Sequence, residues 1–229
     1  MISASQALPP QDRQRICQAV ASAESSTSAE IVPVVATSSG RYDRAEDIVG
    51  LWFAAIAMAV AWYFWPRHIP ETGSWGGSSQ WLDLAVYLLS LVAGFLVGAI
   101  LASKIGWLRR LFTPVAMQRD EVQARARHVF FDSRVHHTQT RSGLLIFLSL
   151  YEHQAVILAD SAIAAKLQPA DLEMLCQQLT GSLHDGTPLA DALCQTIAAA
   201  GRQLATIAPR EAGDVNELPD ALVILDQAV

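Results

Sequence analysis

The sequence contains only three cysteines, Cys17, Cys176 and Cys194, spread widely over its 229 residues. No Cys-x-x-Cys pair is present, and structural zinc needs four closely arranged ligands, so we expect no zinc site. An odd number of cysteines without regular spacing is typical of a reducing compartment.

Basic residues are also few, with 16 Lys and Arg against 22 Asp and Glu, and they form no block. A nucleic-acid-binding surface needs clustered positive charge to displace counterions from phosphates. We therefore expect no nucleic-acid partner. Residues 1–10 lack both a basic start and an apolar core, which argues against a cleaved signal peptide.

Common catalytic motifs are missing too: the sequence has no GxSxG, HExxH, P-loop or GxGxxG pattern. The histidines His128, His136, His137 and His153 do not share the i, i+4 spacing that would place two metal ligands on one helix face. We expect neither a metal site nor a bound cofactor.

Long apolar runs, in contrast, are present. Ile48 to Trp65 contains eighteen residues without a charge, and Leu84 to Ser103 is a second run of similar length. At about 1.5 Å per residue each run matches the hydrocarbon thickness of a bilayer, and neither has the polar face of a globular helix. The sequence predicts a transmembrane helical hairpin, and its first partner is therefore the lipid bilayer.

Flanking residues predict the orientation of the hairpin. Basic residues lie mainly outside it, whereas the connecting loop has only Arg67. Because positive residues favour the cytoplasmic side, we expect both termini and the soluble domain in the cytoplasm of a bacterial cell, with the hairpin in its inner membrane. The residues that carry this bias are Arg41, Arg44, Lys104, Arg109, Arg110 and Arg119.

Small residues recur every fourth position along the second span, at Ser90, Gly94, Gly98 and Ala102. Such a ridge allows another helix to approach closely. We favour packing against the first span of the same chain, with a homo-oligomer or another membrane protein as the alternative.

The remaining sequence predicts a small α/β domain that the hairpin interrupts. Residues 1–46 would supply a helix and a first strand, residues 47–110 the hairpin, and residues 111–229 the rest of the domain with a C-terminal tail. The predicted elements are a helix at Pro9–Ser22, a strand at Ala29–Thr37, a helix at Pro114–Arg134, strands at Gly143–Leu150 and Gln154–Ala159, helices at Pro169–Leu183 and Leu189–Ala205, and a short strand or ordered tail at Ala221–Leu225. Pro33 cannot donate to a sheet ladder, so we expect the first strand at a sheet edge.

This order of elements resembles the TPM domain family, and more closely a bacterial membrane branch in which a transmembrane hairpin interrupts the domain. The segment Thr138 to Leu167 and the ending Gly213 to Asp220 carry the resemblance. It implies a small mixed sheet sandwiched by helices. Some members of the family are weak acid phosphatases, and some bind a divalent cation near an Asp-Asn-Gly turn. Here that turn reads Thr140-Arg141-Ser142-Gly143, and a cation in place of the acidic ligand disfavours the metal.

Arg141, Glu152 and Asp160 are the candidate catalytic residues, because all three lie near predicted strand ends and we expect them to meet at one edge of the sheet. An arginine beside two carboxylates can orient an anion or assist proton transfer. The competing interpretation is an ion pair that pins the end of the sheet, and we favour it.

Together these features predict a membrane-anchored TPM-like domain that serves as a binding or scaffolding module for another membrane protein. One alternative is an anchored phosphomonoesterase that uses Arg141, Glu152 and Asp160. A second is a small transporter or channel component, which the lack of charges within the spans disfavours.

Overall fold

The computed structural model describes residues 3–40, 43–65, 80–105, 113–135, 141–210, 217–218 and 221–226. The chain divides into two compact units. One is an α/β unit formed by Met1–Arg41 and Ala116–Val229, and the other is a helical unit formed by Tyr42–Val115. The sequence had predicted the interruption at residues 47–110.

Eight helices and four strands occur in the described residues. The helices are α1 (Ala4–Ala7), α2 (Pro10–Glu24), α3 (Asp43–Phe64), α4 (Gln80–Lys104), α5 (Val115–Asp132), α6 (Ser161–Ala164), α7 (Pro169–His184) and α8 (Leu189–Ile207). The strands are β1 (Glu30–Ala36), β2 (Gly143–Ser149), β3 (Gln154–Ala159) and β4 (Val223–Leu225).

The four strands form one mixed sheet in the order β3-β2-β1-β4. β1 runs parallel to β2 and to β4, whereas β2 and β3 form an antiparallel hairpin. The α/β class and the two strands predicted at Gly143–Leu150 and Gln154–Ala159 are confirmed. The C-terminal segment forms a strand, so the ordered-tail alternative is wrong.

Both faces of the sheet are buried, which explains why β1 and β2 are apolar without a break. Ile31 and Val35 point to one face, which α2, α7 and α8 cover. Val32 and Val34 point to the other face, where α5 contributes Val122, Ala126, Val129 and Phe130. Because side chains alternate along a strand, a strand that is buried on both faces shows no polar alternation.

The edge position expected for β1 from Pro33 is wrong, because β1 lies between β2 and β4. Proline is accommodated because β4 pairs only with Val34, Val35 and Ala36. Pro33 therefore lies just before the segment of β1 that needs donors on that side.

The helical unit is built on close packing between α3 and α4. A Cβ added at Gly94 would lie 2.7 Å from the Ala57 Cβ, and one at Gly98 would lie 2.7 Å from the Phe53 Cβ. The glycines of the small-residue ridge thus face α3 of the same chain, which is the arrangement we favoured. Ser90 donates its hydroxyl to the Tyr87 carbonyl within α4, and Ala102 is buried.

Candidate functional site

The structure separates the three candidate catalytic residues. Arg141 and Asp160 lie at the end of the sheet where β2 begins and β3 ends, whereas Glu152 lies in the β2–β3 turn at the opposite end. At about 3.3 Å per residue, seven-residue β2 places these ends about 20 Å apart. The expected grouping at one sheet edge is therefore wrong, because antiparallel β2 and β3 carry residues 141 and 160 to one end and their turn to the other.

Glu152 is almost fully buried, with 2% of its surface exposed, and it acts as a hydrogen-bond acceptor. Its carboxylate accepts from the Ser39 backbone N–H at 2.9 Å and from the hydroxyls of Ser38, at 3.4 Å, and Ser149. Ser39 and Ser149 also share a hydrogen bond of 2.9 Å between their hydroxyls. Glu152 thus joins the β2–β3 turn to the segment after β1, a structural role.

Asp160 caps the short helix α6. One carboxylate oxygen accepts from the backbone N–H of Ser161, which anchors the first turn of that helix. The other oxygen, Oδ2, is buried and has no hydrogen-bond partner among the described residues. Arg141 is exposed, and no ion pair between the two is found within the described parts of the chain.

Arg141 adopts a positive φ of 52°, and its carbonyl accepts from the Ala162 N–H at 3.2 Å. The Arg141 backbone thus links the residues just before β2 to helix α6 by a hydrogen bond. Because the Arg141 side chain is exposed while Asp160 is a buried cap, these two residues do not form a charge-assisted pair.

The histidines do not assemble a metal site within the described residues, where no group of three or more His, Cys, Asp or Glu is suitably placed. His128 contacts the Asp132 carboxylate at 3.2 Å on the exposed surface of α5. His136 and His137 lie outside the described residues, as do Thr138 to Thr140, most of the loop between the two spans and most of the C-terminal segment Gly213 to Asp220.

A groove of about 900 Å³ lies in the α/β unit beside the β2–β3 turn, and the sequence had given no indication of it. Its walls come from the end of β2, the β2–β3 turn, the second half of α7, the α7–α8 turn and the start of α8. The apolar lining residues are Leu148, Leu150, Leu183 and Leu189. The polar lining residues are Ser149, His153, Gln177, Thr180, His184 and Thr187, and Gly181 completes the α7 wall.

Several polar atoms of the groove are already engaged by the protein. Thr180 donates its hydroxyl to the Cys176 carbonyl at 2.9 Å, and Ser149 donates to Glu152. His153 has a positive φ of 55°, which turns the chain sharply between β2 and β3. His153 and His184 both line the groove but lie 31 positions apart in the sequence. No local motif could therefore have indicated that they share one site.

Partial burial raises the pKa of the Cys176 thiol, which lies on α7 close to the edge of the sheet. The backbone N–H of Ile157 in β3 opposes this effect by hydrogen bonding to the sulfur. A raised pKa keeps the thiol protonated and unreactive at neutral pH, as expected for a structural cysteine. Cys176 itself does not line the groove.

Comparison with known proteins establishes the fold alone. No protein-family model matches the chain, and no curated protein matches it. The chain is similar in structure to the NMR structure of the BA42 protein from the psychrophilic bacterium Bizionia argentinensis, with a TM-score of 0.55 and 16% identity. That similarity covers 97% of this chain and 99% of the BA42 chain.

Proposed function

We propose that this chain is a membrane-anchored binding module. In this proposal the α3–α4 hairpin crosses the inner membrane of a bacterium, and both termini and the α/β unit are cytoplasmic. The α/β unit is a TPM-like domain that binds a component of a membrane complex.

The observation that carries the proposal is the apolar surface of the helical unit. Leu89 is 69% exposed and Tyr63 is 74% exposed, and large apolar side chains continue along both helices. Only 17% of the apolar window in α3 and 11% of that in α4 is buried. A soluble protein rarely exposes so large an apolar surface, whereas lipid would cover it.

Contacts at the ends of the helices support the same proposal. The Trp65 indole N–H donates to the Asp83 carboxylate at 2.8 Å, which joins the end of α3 to the start of α4. Trp and Tyr side chains favour the headgroup region, and Asp83 in the first turn of α4 could reach interfacial water. No Asp, Glu, Lys, Arg or His lies between Leu84 and Ser103, which disfavours a transport pathway along this helix.

A role in binding, rather than in phosphoester hydrolysis, is supported by the arrangement of Arg141, Glu152 and Asp160. Glu152 is a buried hydrogen-bond acceptor and Asp160 is a helix cap. The exposed apolar side chains of the hairpin provide a surface for association with lipid or with another membrane protein.

Crosslinking in native membranes tests the binding role. The full chain, treated with an amine-reactive crosslinker that can reach Lys166 on the α/β unit, should give a discrete product heavier than the monomer. Lys166→Arg keeps the charge and should remove that product. A ladder without a discrete product, or a product unchanged in Lys166→Arg, would argue against a partner at this surface.

A further inference from the structure

A glycine in α7 has no evident structural reason to be there. Among the described helical glycines, Gly50, Gly94, Gly98 and Gly201 would each place an added Cβ within 3 Å of a neighbouring atom. At Gly181 an added Cβ would meet nothing within 4 Å. Glycine inside a helix costs about 1 kcal/mol relative to alanine. Helix packing explains the other four, but it does not explain Gly181.

Because Gly181 has no side chain, it leaves the backbone of α7 exposed in the wall of the groove. It lines the groove between Thr180 and Leu183, so the helix backbone itself forms part of the surface. A flat group can lie against such a surface more closely than against a side chain. The volume of about 900 Å³ is also within the range of small-molecule sites.

Electrostatics at the groove disfavours an anion. None of the described residues that line it is Lys, Arg, Asp or Glu. The buried carboxylate of Glu152 lies behind one wall, bonded to Ser149. The α7 helix ends at His184, where the helix end carries partial negative charge, and α8 begins at Leu189, where partial positive charge is met by Asp191 in the first turn. A phosphate or carboxylate ligand would therefore find no Lys or Arg partner among the described residues of the groove.

The lining instead suits a molecule with an apolar body and polar edges. Leu150, Leu183 and Leu189 provide apolar surface, while His184, Thr187 and Gln177 provide groups that can hydrogen bond. We propose that the groove binds a planar, non-anionic heteroaromatic small molecule that lies against the bare backbone of α7 at Gly181. The inference goes beyond the proposed function, because it concerns the α/β unit alone.

The test compares three probes that share one pyridine ring and differ in charge: nicotinamide, cationic 1-methylnicotinamide and anionic nicotinate. Saturation-transfer NMR is measured on the full chain in lipid nanodiscs. Nicotinamide and 1-methylnicotinamide should receive saturation at least threefold more strongly than nicotinate. Equal or stronger transfer to nicotinate, or no transfer to any probe, would overturn the proposal.

Gly181→Leu fills the groove and should reduce the transfer at least fivefold. Leucine favours helix over glycine, so we expect the circular dichroism of the variant to match that of the wild type. Gln178→Leu adds the same side chain at an exposed α7 position outside the groove and should leave the transfer unchanged. If Gly181→Leu lowers the helical signal, Thr187→Leu narrows the groove from the α7–α8 turn and carries the same expectation. If Gly181→Leu or Thr187→Leu is folded and saturation transfer to nicotinamide is unchanged, the proposed site is contradicted. This result does not depend on whether the hairpin anchors the chain in a membrane.

Discussion

The buried carboxylate of Glu152 accepts a hydrogen bond of 2.9 Å from the backbone N–H of Ser39. The two residues are 113 positions apart in the sequence. Ser39 belongs to the segment that leads from β1 toward the helical unit, and Glu152 lies in the turn that borders the groove. This contact ties the β2–β3 turn to the segment after β1, so Glu152 has a structural role in the α/β unit.

Replacing Glu152 with alanine should destabilise the α/β unit by about 2–4 kcal/mol, because the Ser39 N–H and the Ser149 hydroxyl lose their hydrogen-bond acceptor in a buried site. Urea unfolding of the detergent-purified chain, followed by circular dichroism, measures the change. Glu173→Ala removes an exposed carboxylate from α7 and should change stability by less than about 0.5 kcal/mol. Equal effects of the two substitutions would refute the structural role of Glu152.

Asp226 makes a pH-dependent contact between the two ends of the described chain. Its carboxylate accepts from the Ser5 N–H at 3.0 Å and from the Thr37 hydroxyl at 3.2 Å. These bonds, the Ser5 backbone bond foremost, lower the pKa of Asp226 from its ordinary value of 3.8. Because the folded pKa is depressed, the contribution to stability is complete above the unfolded value and disappears as pH falls through the folded value. An NMR titration of the Asp226 side chain should give a midpoint below 3.8, and a midpoint at or above 3.8 contradicts the contact.

Gly98→Leu should disrupt the helical hairpin. An added Cβ would lie 2.7 Å from the Phe53 Cβ and 2.9 Å from the Gly50 Cα, so α3 and α4 would have to separate. Overpacking of this kind costs about 1–3 kcal/mol or more. The temperature at which the detergent-purified protein aggregates should fall, while Val97→Leu, at an exposed neighbouring position, should leave it unchanged. If Gly98→Leu instead dissociates an oligomer and leaves thermal stability intact, the ridge serves contacts between chains.

Phosphomonoester hydrolysis should remain at background for the wild type and for Asp160→Asn, with or without divalent metal. Asparagine retains the ability to cap α6, so the fold should be preserved. Hydrolysis of p-nitrophenyl phosphate by the detergent-purified protein, with circular dichroism as the control, is the measurement. Turnover that Asp160→Asn abolishes in a folded protein would make this chain an anchored phosphatase.

Local sequence patterns predicted the strands and the long helices, because each is marked by an apolar run or by helical periodicity within its own segment. The apolar runs Gly143–Leu150 and Gln154–Ala159 closely match β2 and β3, with a short turn between them. The short helices α1 and α6 have only four residues each and offered no periodicity to detect. The sequence also suggested an edge strand from Pro33, because it does not reveal that β4 begins opposite Val34.

The candidate site was harder to predict because it depends on long-range geometry. The predicted strand bounds place Arg141, Glu152 and Asp160 near strand ends. Only the antiparallel pairing of β2 and β3 shows that Glu152 lies at the end opposite to Arg141 and Asp160. The groove joins the β2–β3 turn to α7 and α8, and its most informative residue, Gly181, has significance only from the space around it.

Insertion of the α3–α4 hairpin into a membrane is the central claim, and carbonate extraction of bacterial membranes tests it most directly. The wild-type chain should stay in the membrane pellet. Val92→Arg, at an exposed position near the middle of α4, should shift much of the protein to the soluble or degraded fraction, because a central arginine costs about 2.5–3.5 kcal/mol. Trp81→Arg, exposed at the end of the same helix, should remain in the pellet. Release of the wild-type protein by carbonate, or equal behaviour of the two arginine variants, would contradict a membrane-spanning hairpin.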